Sequence, residues 1–266
     1  MTKLPVKLAE RLSAGLKRYQ PILVSARARD INESDTVVIV ADMLQDIFGY
    51  DKYAELTSEF AIRSTFCDLA VKLDGRLTLL IEVKAIGSEL KEAHVKQAVD
   101  YAANQGCEWV VLTNARYWRA YRVQFTKPIQ NELVLDVTVD TLNPKKESDL
   151  ALLWLLSKEG QVKSGLDEYH SQREALSRFT LSALLQTDVV VSVLRRELRR
   201  ISPDARIDEA QILEVLTNEV LKREVLDGEK AVLAKKLVAK AAARSLRTTA
   251  KETSIVKSKI EPTEDS

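Results

Sequence analysis

The apolar positions along this 266-residue chain change their spacing twice, from helical to alternating and back to helical. Residues 6–28 have helical spacing, with Pro21 as a predicted break or kink. Residues 34–48 form a second predicted helix, which stops at Gly49. A series of predicted strands follows, near 54–63, 66–73, 76–85, 109–112, 117–124 and 132–139. Apolar and polar residues alternate in most of them, while 109–112 is a continuous apolar run.

One predicted helix, near residues 88–104, interrupts this series of strands. It connects the strand at 76–85 to the apolar run Trp109-Val110-Val111-Leu112. A helical crossover between two neighbouring strands makes them parallel, whereas the hairpin connections elsewhere make antiparallel pairs. The pattern therefore predicts an α/β fold with a mixed β-sheet flanked by helices.

The pattern beyond Asn143-Pro144 is helical only, which predicts a C-terminal all-helical region. After Arg247 the chain is rich in Thr, Ser and Lys and has no apolar period, which predicts a disordered tail. The predicted organisation is an N-terminal helical segment, an α/β core, a C-terminal helical region and the tail, at residues 1–30, 31–144, 145–246 and 247–266.

The turn at Asp74-Gly75 joins two predicted strands into a hairpin, and its length decides which side chains share a face. A two-residue loop would place Asp68 and Glu82 on opposite faces. A three-residue loop, residues 73–75 with Gly75 left-handed as a bulge, pairs Lys72 with Arg76 instead. We predict the bulged register, which brings Asp68 diagonally close to Glu82.

This register is preferred because it separates apolar from polar side chains, and a slip of one residue would mix them. One predicted face holds Leu69, Val71, Leu77, Leu79, Ile81 and Val83. The other holds Asp68, Ala70, Thr78, Leu80, Glu82 and Lys84.

Asp68, Glu82 and Lys84 form the candidate reactive cluster of the hairpin. Two carboxylates so close together repel each other unless a divalent cation lies between them or one keeps its proton. Oxygen ligands of this kind suit Mg²⁺, which takes one or two protein carboxylates and keeps several waters. Lys84 can orient or deprotonate a water, or stabilise charge on a phosphorane, so the cluster predicts metal-assisted phosphodiester hydrolysis. An ordinary exposed strand face is the alternative interpretation.

Composition adds a charge asymmetry and excludes a zinc motif. The 40 Lys and Arg residues nearly balance the 39 Asp and Glu residues, but the first thirty residues are basic and residues 30–62 are acidic. Such asymmetry is typical of a metal site with phosphate-contacting flanks. The two cysteines, Cys67 and Cys107, have no paired spacing, and we predict that they are reduced core residues.

A linked series of motifs resembles the PD-(D/E)xK nuclease core, and in particular the N-terminal nuclease domain of type I restriction enzyme restriction subunits. The motifs are Cys67-Asp68, Glu82-Val83-Lys84, Gln97-x-x-x-Tyr101, Asn32-Glu33-Ser34-Asp35-Thr36, Phe48-Gly49-Tyr50-Asp51, Leu112-Thr113-Asn114, Trp118 and Tyr121. The resemblance covers about residues 30–125. One departure is Cys67, which stands where the family often has proline.

The resemblance implies a restriction-endonuclease-like fold with Asp68 and Glu82 as metal ligands and Lys84 as the catalytic lysine. Mg²⁺ is the implied cofactor, with Mn²⁺ as a substitute. The family often adds a carboxylate from its first helix, and Glu33 has the matching place. The alternative for Glu33 is that it complements the dipole of a helix capped by Asn32.

Gln97 completes the candidate site. It shares a helical face with Tyr101 and His94, and its side chain could bind a water, a phosphate or Lys84. The alternative is a satisfied polar residue between helix and sheet. His94 is predicted to be a packing residue.

We therefore expect a Mg²⁺-dependent endonuclease acting on DNA, in restriction or phage defence. The alternative is a non-catalytic nucleic-acid-binding or scaffold subunit that keeps the fold, and an RNA-directed nuclease would use the same chemistry. No Gly-x-x-x-x-Gly-Lys-Ser/Thr loop is present, so we expect either a stand-alone nuclease or a nuclease subunit whose ATP-driven motor or specificity subunit is another chain. Cleavage of both strands favours a homodimer, and the absence of a long apolar run predicts a cytoplasmic protein without a membrane partner.

Overall fold

The computed structural model describes the backbone of residues 3–62 and 65–258, and the side chains of these residues other than 59–66 and 245–258. The strands are β1 (Leu56–Ile62), β2 (Thr65–Leu73), β3 (Arg76–Val83), β4 (Trp109–Thr113), β5 (Tyr117–Gln124) and β6 (Gln130–Thr138). The helices before β5 are α1 (Val6–Ala28), α2 (Glu33–Asp46) and α3 (Glu92–Gln105).

Helices follow the sheet to the end of the described chain. They are α4 (Glu147–Trp154), α5 (Lys158–Val162), α6 (Gly165–Ala175), α7 (Arg178–Leu185), α8 (Asp188–Ile201), α9 (Glu209–Val215), α10 (Arg223–Leu226) and α11 (Glu229–Ser258). A short 3₁₀ turn lies at Val139–Thr141 and a π turn at Leu216–Val220. Among the residues with a described structure, no helix combines the length and apolar character needed to cross a bilayer.

The six strands lie in the sheet in the order of the chain, β1-β2-β3-β4-β5-β6. Of the six strands described, only β3 and β4 form a parallel pair, and α3 crosses over between them, while the other neighbours are antiparallel. Gly106 ends α3 in a left-handed conformation at φ 66°, which glycine adopts without steric cost. The predicted fold class, a mixed sheet with flanking helices and a helical C-terminal region, is confirmed.

Each face of the sheet buries its own apolar cluster. On one face Leu69, Val71 and Ile81 pack in a cluster that includes residues of α1, α2 and α4, and Trp118 contacts Phe48 with ring centroids 4.9 Å apart. On the other face Ala70 and Leu80 pack with residues of α3. Burial on both faces explains why β3 and β4 are nearly continuous apolar runs.

Both cysteines are free and buried in the cluster beneath α3, as predicted. The Cys67 thiol donates to the carbonyl of Ile81 at 3.2 Å, and the Cys107 thiol to that of Trp109 at 3.3 Å. Burial raises the pKa of Cys67 to about 12 and that of Cys107 to about 11. Both thiols are therefore protonated packing groups at neutral pH.

The β2–β3 turn differs from the prediction. Leu73 pairs with Arg76, so the loop has two residues, Asp74 at φ 49° and Gly75 at φ 74°. Positive φ at both positions gives the turn that matches the twist of a hairpin. The predicted pair of Lys72 with Arg76 is wrong.

The predicted bulge exists, but it lies in β3 rather than in the loop. Lys72 pairs with Leu77 and Val71 with Leu79, so Thr78 is the extra residue, and its hydroxyl donates to the Val71 carbonyl at 3.2 Å. The bulge restores the predicted faces from Leu79 onward. Leu77 precedes it and packs on the α3 side, opposite to its predicted face.

Pro21 does not interrupt α1, which is continuous through it, so the predicted break is wrong. Pro21 lies on the exposed side of the helix, as does Lys17, whose carbonyl loses its intrahelical donor. Water can bind this carbonyl, which lowers the cost of the proline.

The chain divides into two compact units, residues 1–170 and 171–266. The first unit includes α4, because Leu150 and Leu153 belong to the main apolar cluster beneath the sheet. In the second unit α11 extends to Ser258, so the backbone is helical over part of the segment predicted to be a disordered tail. Two good helix formers, Ala and Lys, dominate its first half. Residues 259–266 of the predicted tail lie outside the described residues, and the domain boundaries drawn from the sequence stay predictions.

Candidate functional site

Asp68 and Glu82 face each other across the β2–β3 hairpin. The last observed pair is Leu69 with Ile81, and the same register places Asp68 directly opposite Glu82, where a diagonal placement was predicted. The Asp68 carboxylate accepts a hydrogen bond from the backbone N–H of Val83 at 2.7 Å, which fixes it against the end of β3. The structure therefore brings the two predicted carboxylates together.

Glu82 is a buried acid, with 2% of its surface exposed. One carboxylate oxygen accepts from the Lys84 ammonium at 2.8 Å, while the other, Oε2, has no hydrogen-bond partner in the described part of the chain. Burial raises the pKa of Glu82 to about 7, the hydrogen bond from Lys84 opposes this, and the charge of Asp68 adds to it. A buried carboxylate oxygen without a donor is a candidate ligand atom for a cation.

Lys84 lies between two glutamates. Its Nζ is 2.8 Å from Glu82 Oε1 and 3.5 Å from both carboxylate oxygens of Glu33. Burial disfavours the ammonium, but the hydrogen bond to Glu82 and the surrounding negative charges outweigh burial, so the pKa of Lys84 is raised. Lys84 is therefore fully protonated at neutral pH.

Asp68 also has a raised pKa. Its burial is the main cause, while the hydrogen bond from Val83 and the charge of Lys84 act in the opposite direction. Both carboxyls of the hairpin are thus less acidic than exposed ones, as expected for acids that share a desolvated site.

Glu33 combines the two interpretations that the sequence left open. Asn32 caps α2, because its side chain accepts from the Asp35 N–H at 2.8 Å, and Glu33 is the first residue of that helix. The half-exposed Glu33 carboxylate nevertheless reaches the Lys84 ammonium. It belongs to the cluster through this contact, and its role as a metal ligand stays a prediction.

Gln97 was predicted to bind a water, a phosphate or Lys84, and the structure shows a hydrogen bond within its own helix. Its side-chain N–H donates to the Tyr101 hydroxyl at 2.9 Å, one turn along α3, and Gln97 itself is exposed. Together with Lys96 and Asp100 the pair lines a groove along α3. No hydrogen bond joins Gln97 to Lys84 among the described residues, so a direct role in the site stays a prediction.

His94 accepts a hydrogen bond from the Lys91 N–H at 3.3 Å and thereby helps to cap α3. Its burial and the neighbouring charge of Lys84 lower its pKa. The lowered pKa favours a neutral His94 ring at neutral pH, and a neutral ring is consistent with the predicted packing role.

The loop that follows Lys84 is held by groups that the sequence did not identify as site residues. Asn114, in the β4–β5 turn, donates to the carbonyls of Ile86 and Ser88 at 3.3 and 2.9 Å. Its side-chain oxygen accepts from the N–H groups of Arg116 and Tyr117 at 3.2 and 3.0 Å. Asn is typical of such turns, but only the fold shows that it also holds a loop 26 residues earlier.

We expect Asn114→Ala to lower the free energy of unfolding by roughly 2–3 kcal/mol, since it removes four hydrogen bonds from a residue that is 1% exposed. Urea unfolding checks this. Asn104→Ala is the matched control, because Asn104 is exposed and makes a single side-chain bond to the Asp100 carbonyl. Equal effects of the two substitutions would contradict the clamping role of Asn114.

The donor set of the cluster suits a hard divalent cation. Asp68 and Glu82 offer carboxylate oxygens, one of them without a hydrogen-bond donor, and Mg²⁺ commonly takes one or two carboxylates and keeps its remaining waters. Within the described residues, no group of three or more His, Cys, Asp or Glu side chains is arranged to hold a metal ion. The residues present therefore fit a two-carboxylate Mg²⁺ site.

A mixed sheet whose central hairpin carries two facing acids and a lysine at its end defines a nuclease-like core. The comparison with protein families is more specific. Residues 39–135 match the family described as type I restriction enzyme R protein N terminus (HSDR_N), and this match confirms the predicted resemblance over that segment. The match includes Asp68, Glu82, Lys84 and Gln97, whereas Glu33 lies before it. Neither the curated proteins nor the solved structures give a significant match.

Proposed function

We propose that the chain is a Mg²⁺-dependent endonuclease that hydrolyses DNA phosphodiester bonds in a restriction or phage-defence system. The observation that carries this proposal is the hairpin of the HSDR_N segment, where Glu82 Oε2 is buried without a donor beside Asp68 and Lys84. The matched family is the N terminus of a restriction subunit, so we also propose that other subunits direct cleavage.

In this proposal Asp68 and Glu82 hold the ion. Bound there, Mg²⁺ would lower the pKa of a coordinated water and neutralise charge on the phosphodiester. Val83 keeps the Asp68 carboxylate in place through its backbone N–H. Glu82 must be ionised to bind the ion. Because its pKa is about 7 in the absence of the ion, the proposed site has both carboxylates ionised only above about pH 7.

Lys84 acts as a hydrogen-bond donor rather than as a base. Its raised pKa keeps the ammonium protonated, so it can orient a water or stabilise negative charge on a phosphate oxygen. Of the two roles open to it from the sequence, proton removal is thus the less favoured. Glu33 holds the ammonium from the side of α2.

The test is cleavage of supercoiled plasmid by the purified full chain with Mg²⁺, beside Asp68→Ala and Lys84→Ala. We expect nicking by the wild type and a loss of at least about 10²-fold in each variant. Asp204→Ala and Lys163→Ala are matched controls on exposed residues and should cleave normally. Cleavage that persists in both site variants would contradict the assignment of Asp68 and Lys84 to the active site.

Calorimetric titration with Mg²⁺ or Mn²⁺ separates the enzyme from a non-catalytic DNA-binding subunit. Metal binding that disappears in Asp68→Ala supports the enzyme. If the chain never cleaves DNA and binds it equally well with and without metal, the non-catalytic scaffold subunit is the better explanation.

A further inference from the structure

The end of α1 lies beside the proposed active site. The turn between α1 and α2 contacts the loop after β3, because a Cβ added to Gly87 would lie 2.4 Å from Asp30 Oδ1. Three residues later Glu33 reaches the Lys84 ammonium. Arg27, in the last turn of α1, and Arg29, its C-cap, immediately precede these contacts.

Arg27 and Arg29 differ from most arginines of the first unit. Both are exposed, and neither has a carboxylate partner among the described residues. Five other arginines of that unit each have such a partner: Arg11 with Glu159, Arg18 with Asp46, Arg116 with Asp140, Arg119 with Asp136, and Arg122 with Glu108 and Asp167. Two cations that are two positions apart in the sequence, with no carboxylate partner in the described part of the chain, are available for an anion.

The charge of the site explains why a cationic flank is needed there. Asp68, Glu82 and Glu33 outnumber Lys84, so the cluster by itself repels a phosphate. Phosphates on either side of the cleaved bond lie only a few ångströms away and stay negative throughout. Cations at the rim offset this repulsion and fix the register of a duplex without reading its sequence.

We propose that Arg27 and Arg29 bind backbone phosphates of duplex DNA next to the bond that is cleaved, and so position it over Asp68 and Glu82. This rests on the proposed nuclease function. A purely structural explanation is that Arg27 complements the dipole at the end of α1, which contributes roughly 0.3–1 kcal/mol to stability. That explanation predicts an effect on stability and none on the salt dependence of DNA binding.

The experiment compares Arg27→Gln/Arg29→Gln with Lys3→Gln/Lys7→Gln in the full chain. Both double variants remove two exposed positive charges, but Lys7 lies at the opposite end of α1, about 30 Å from Arg27 at 1.5 Å per residue. Binding of a fluorescent duplex is measured by anisotropy in EDTA over a range of salt concentrations. We expect the arginine variant to bind about tenfold more weakly and its salt slope to fall by about two, one for each phosphate that is no longer bound.

Equal affinities and slopes in the two double variants would overturn the inference, and so would a lower Tm of the arginine variant with an unchanged slope. Plasmid cleavage by the wild type with Mg²⁺ is measured in parallel. If the wild type cleaves plasmid but the arginine variant binds duplex like the lysine variant, the inference about Arg27 and Arg29 is wrong and the nuclease function stands. A selective arginine effect without any cleavage supports the DNA contact and removes the nuclease function, and a wild type that binds no duplex removes both.

Discussion

Glu82→Gln is expected to stabilise the protein in EDTA while it abolishes hydrolysis. A carboxyl whose pKa rises on folding from 4.5 to about 7 opposes folding by roughly 3 kcal/mol once it is ionised in both states. The amide carries no charge and avoids this cost, but its N–H lacks an acceptor where Oε2 now has no partner. We therefore expect a net gain of roughly 2 kcal/mol at pH 8.

The sign of this effect depends on pH. Below pH 4.5 the Glu82 carboxyl is protonated in the folded and the unfolded chain, so it contributes nothing. Between pH 4.5 and 7 only the unfolded chain ionises, and the cost to the folded state grows. Above pH 7 the cost is constant. The advantage of Glu82→Gln should accordingly be small at pH 5 and complete at pH 8.

Urea unfolding of the two proteins in EDTA at pH 5 and pH 8 measures this, and plasmid cleavage with Mg²⁺ measures the loss of activity, which we expect to exceed about 10²-fold. Glu33→Gln is the matched control, because its carboxylate is half exposed and its removal should leave stability nearly unchanged. A Glu82→Gln protein that is less stable at pH 8 than the wild type would contradict the cost assigned to this buried charge.

Lys84→Met is expected to lower kcat by about 10²–10³-fold with folding intact. Methionine keeps most of the length of the side chain but cannot donate a hydrogen bond or carry charge. The Lys84 ammonium also opposes the rise in the pKa of Glu82, so its removal should raise that pKa further. The pH at which residual activity appears should therefore move upward.

The rate of single-turnover cleavage as a function of pH separates the two effects of Lys84→Met. The plateau rate measures the effect of the missing hydrogen-bond donor, and the midpoint of the pH profile measures the change in the pKa of Glu82. Lys163→Met, at an exposed position in the turn after α5, controls for the loss of a lysine. A variant with a normal plateau and only a displaced midpoint would show that Lys84 acts through Glu82 alone.

The sequence predicted that Asp68 and Glu82 lie close together because the determinants of this placement are local. Side chains alternate along a strand, so once a register was chosen the faces followed, and Asp68 and Glu82 came together as expected. The position of the bulge could not be predicted in the same way. One extra residue in the hairpin can be placed in two ways, as a bulge at Thr78 after a two-residue turn or as a bulge at Gly75 in a three-residue loop. Both give the same faces beyond Leu79.

Long-range contacts limited the rest of the prediction. Gln97 was correctly placed on the face of α3 that carries Tyr101. Which group its side chain binds, however, depends on how far α3 lies from the hairpin. The clamp by Asn114 joins two turns that are distant in sequence, and no local pattern contains it. The predicted break at Pro21 was wrong because its cost depends on whether its side of α1 faces water, while the predicted kink stays a prediction.

The strand order of the sheet has a consequence for how the protein is made. Since each strand neighbours the one synthesised before it, the sheet can grow along one edge as the chain leaves the ribosome, with no strand inserted between two others. Only the step from β3 to β4 waits for a helix. Asp68 and Glu82 can thus be paired in a nascent hairpin before Asn114 has been translated, and the loop after Lys84 is held only once Asn114 follows.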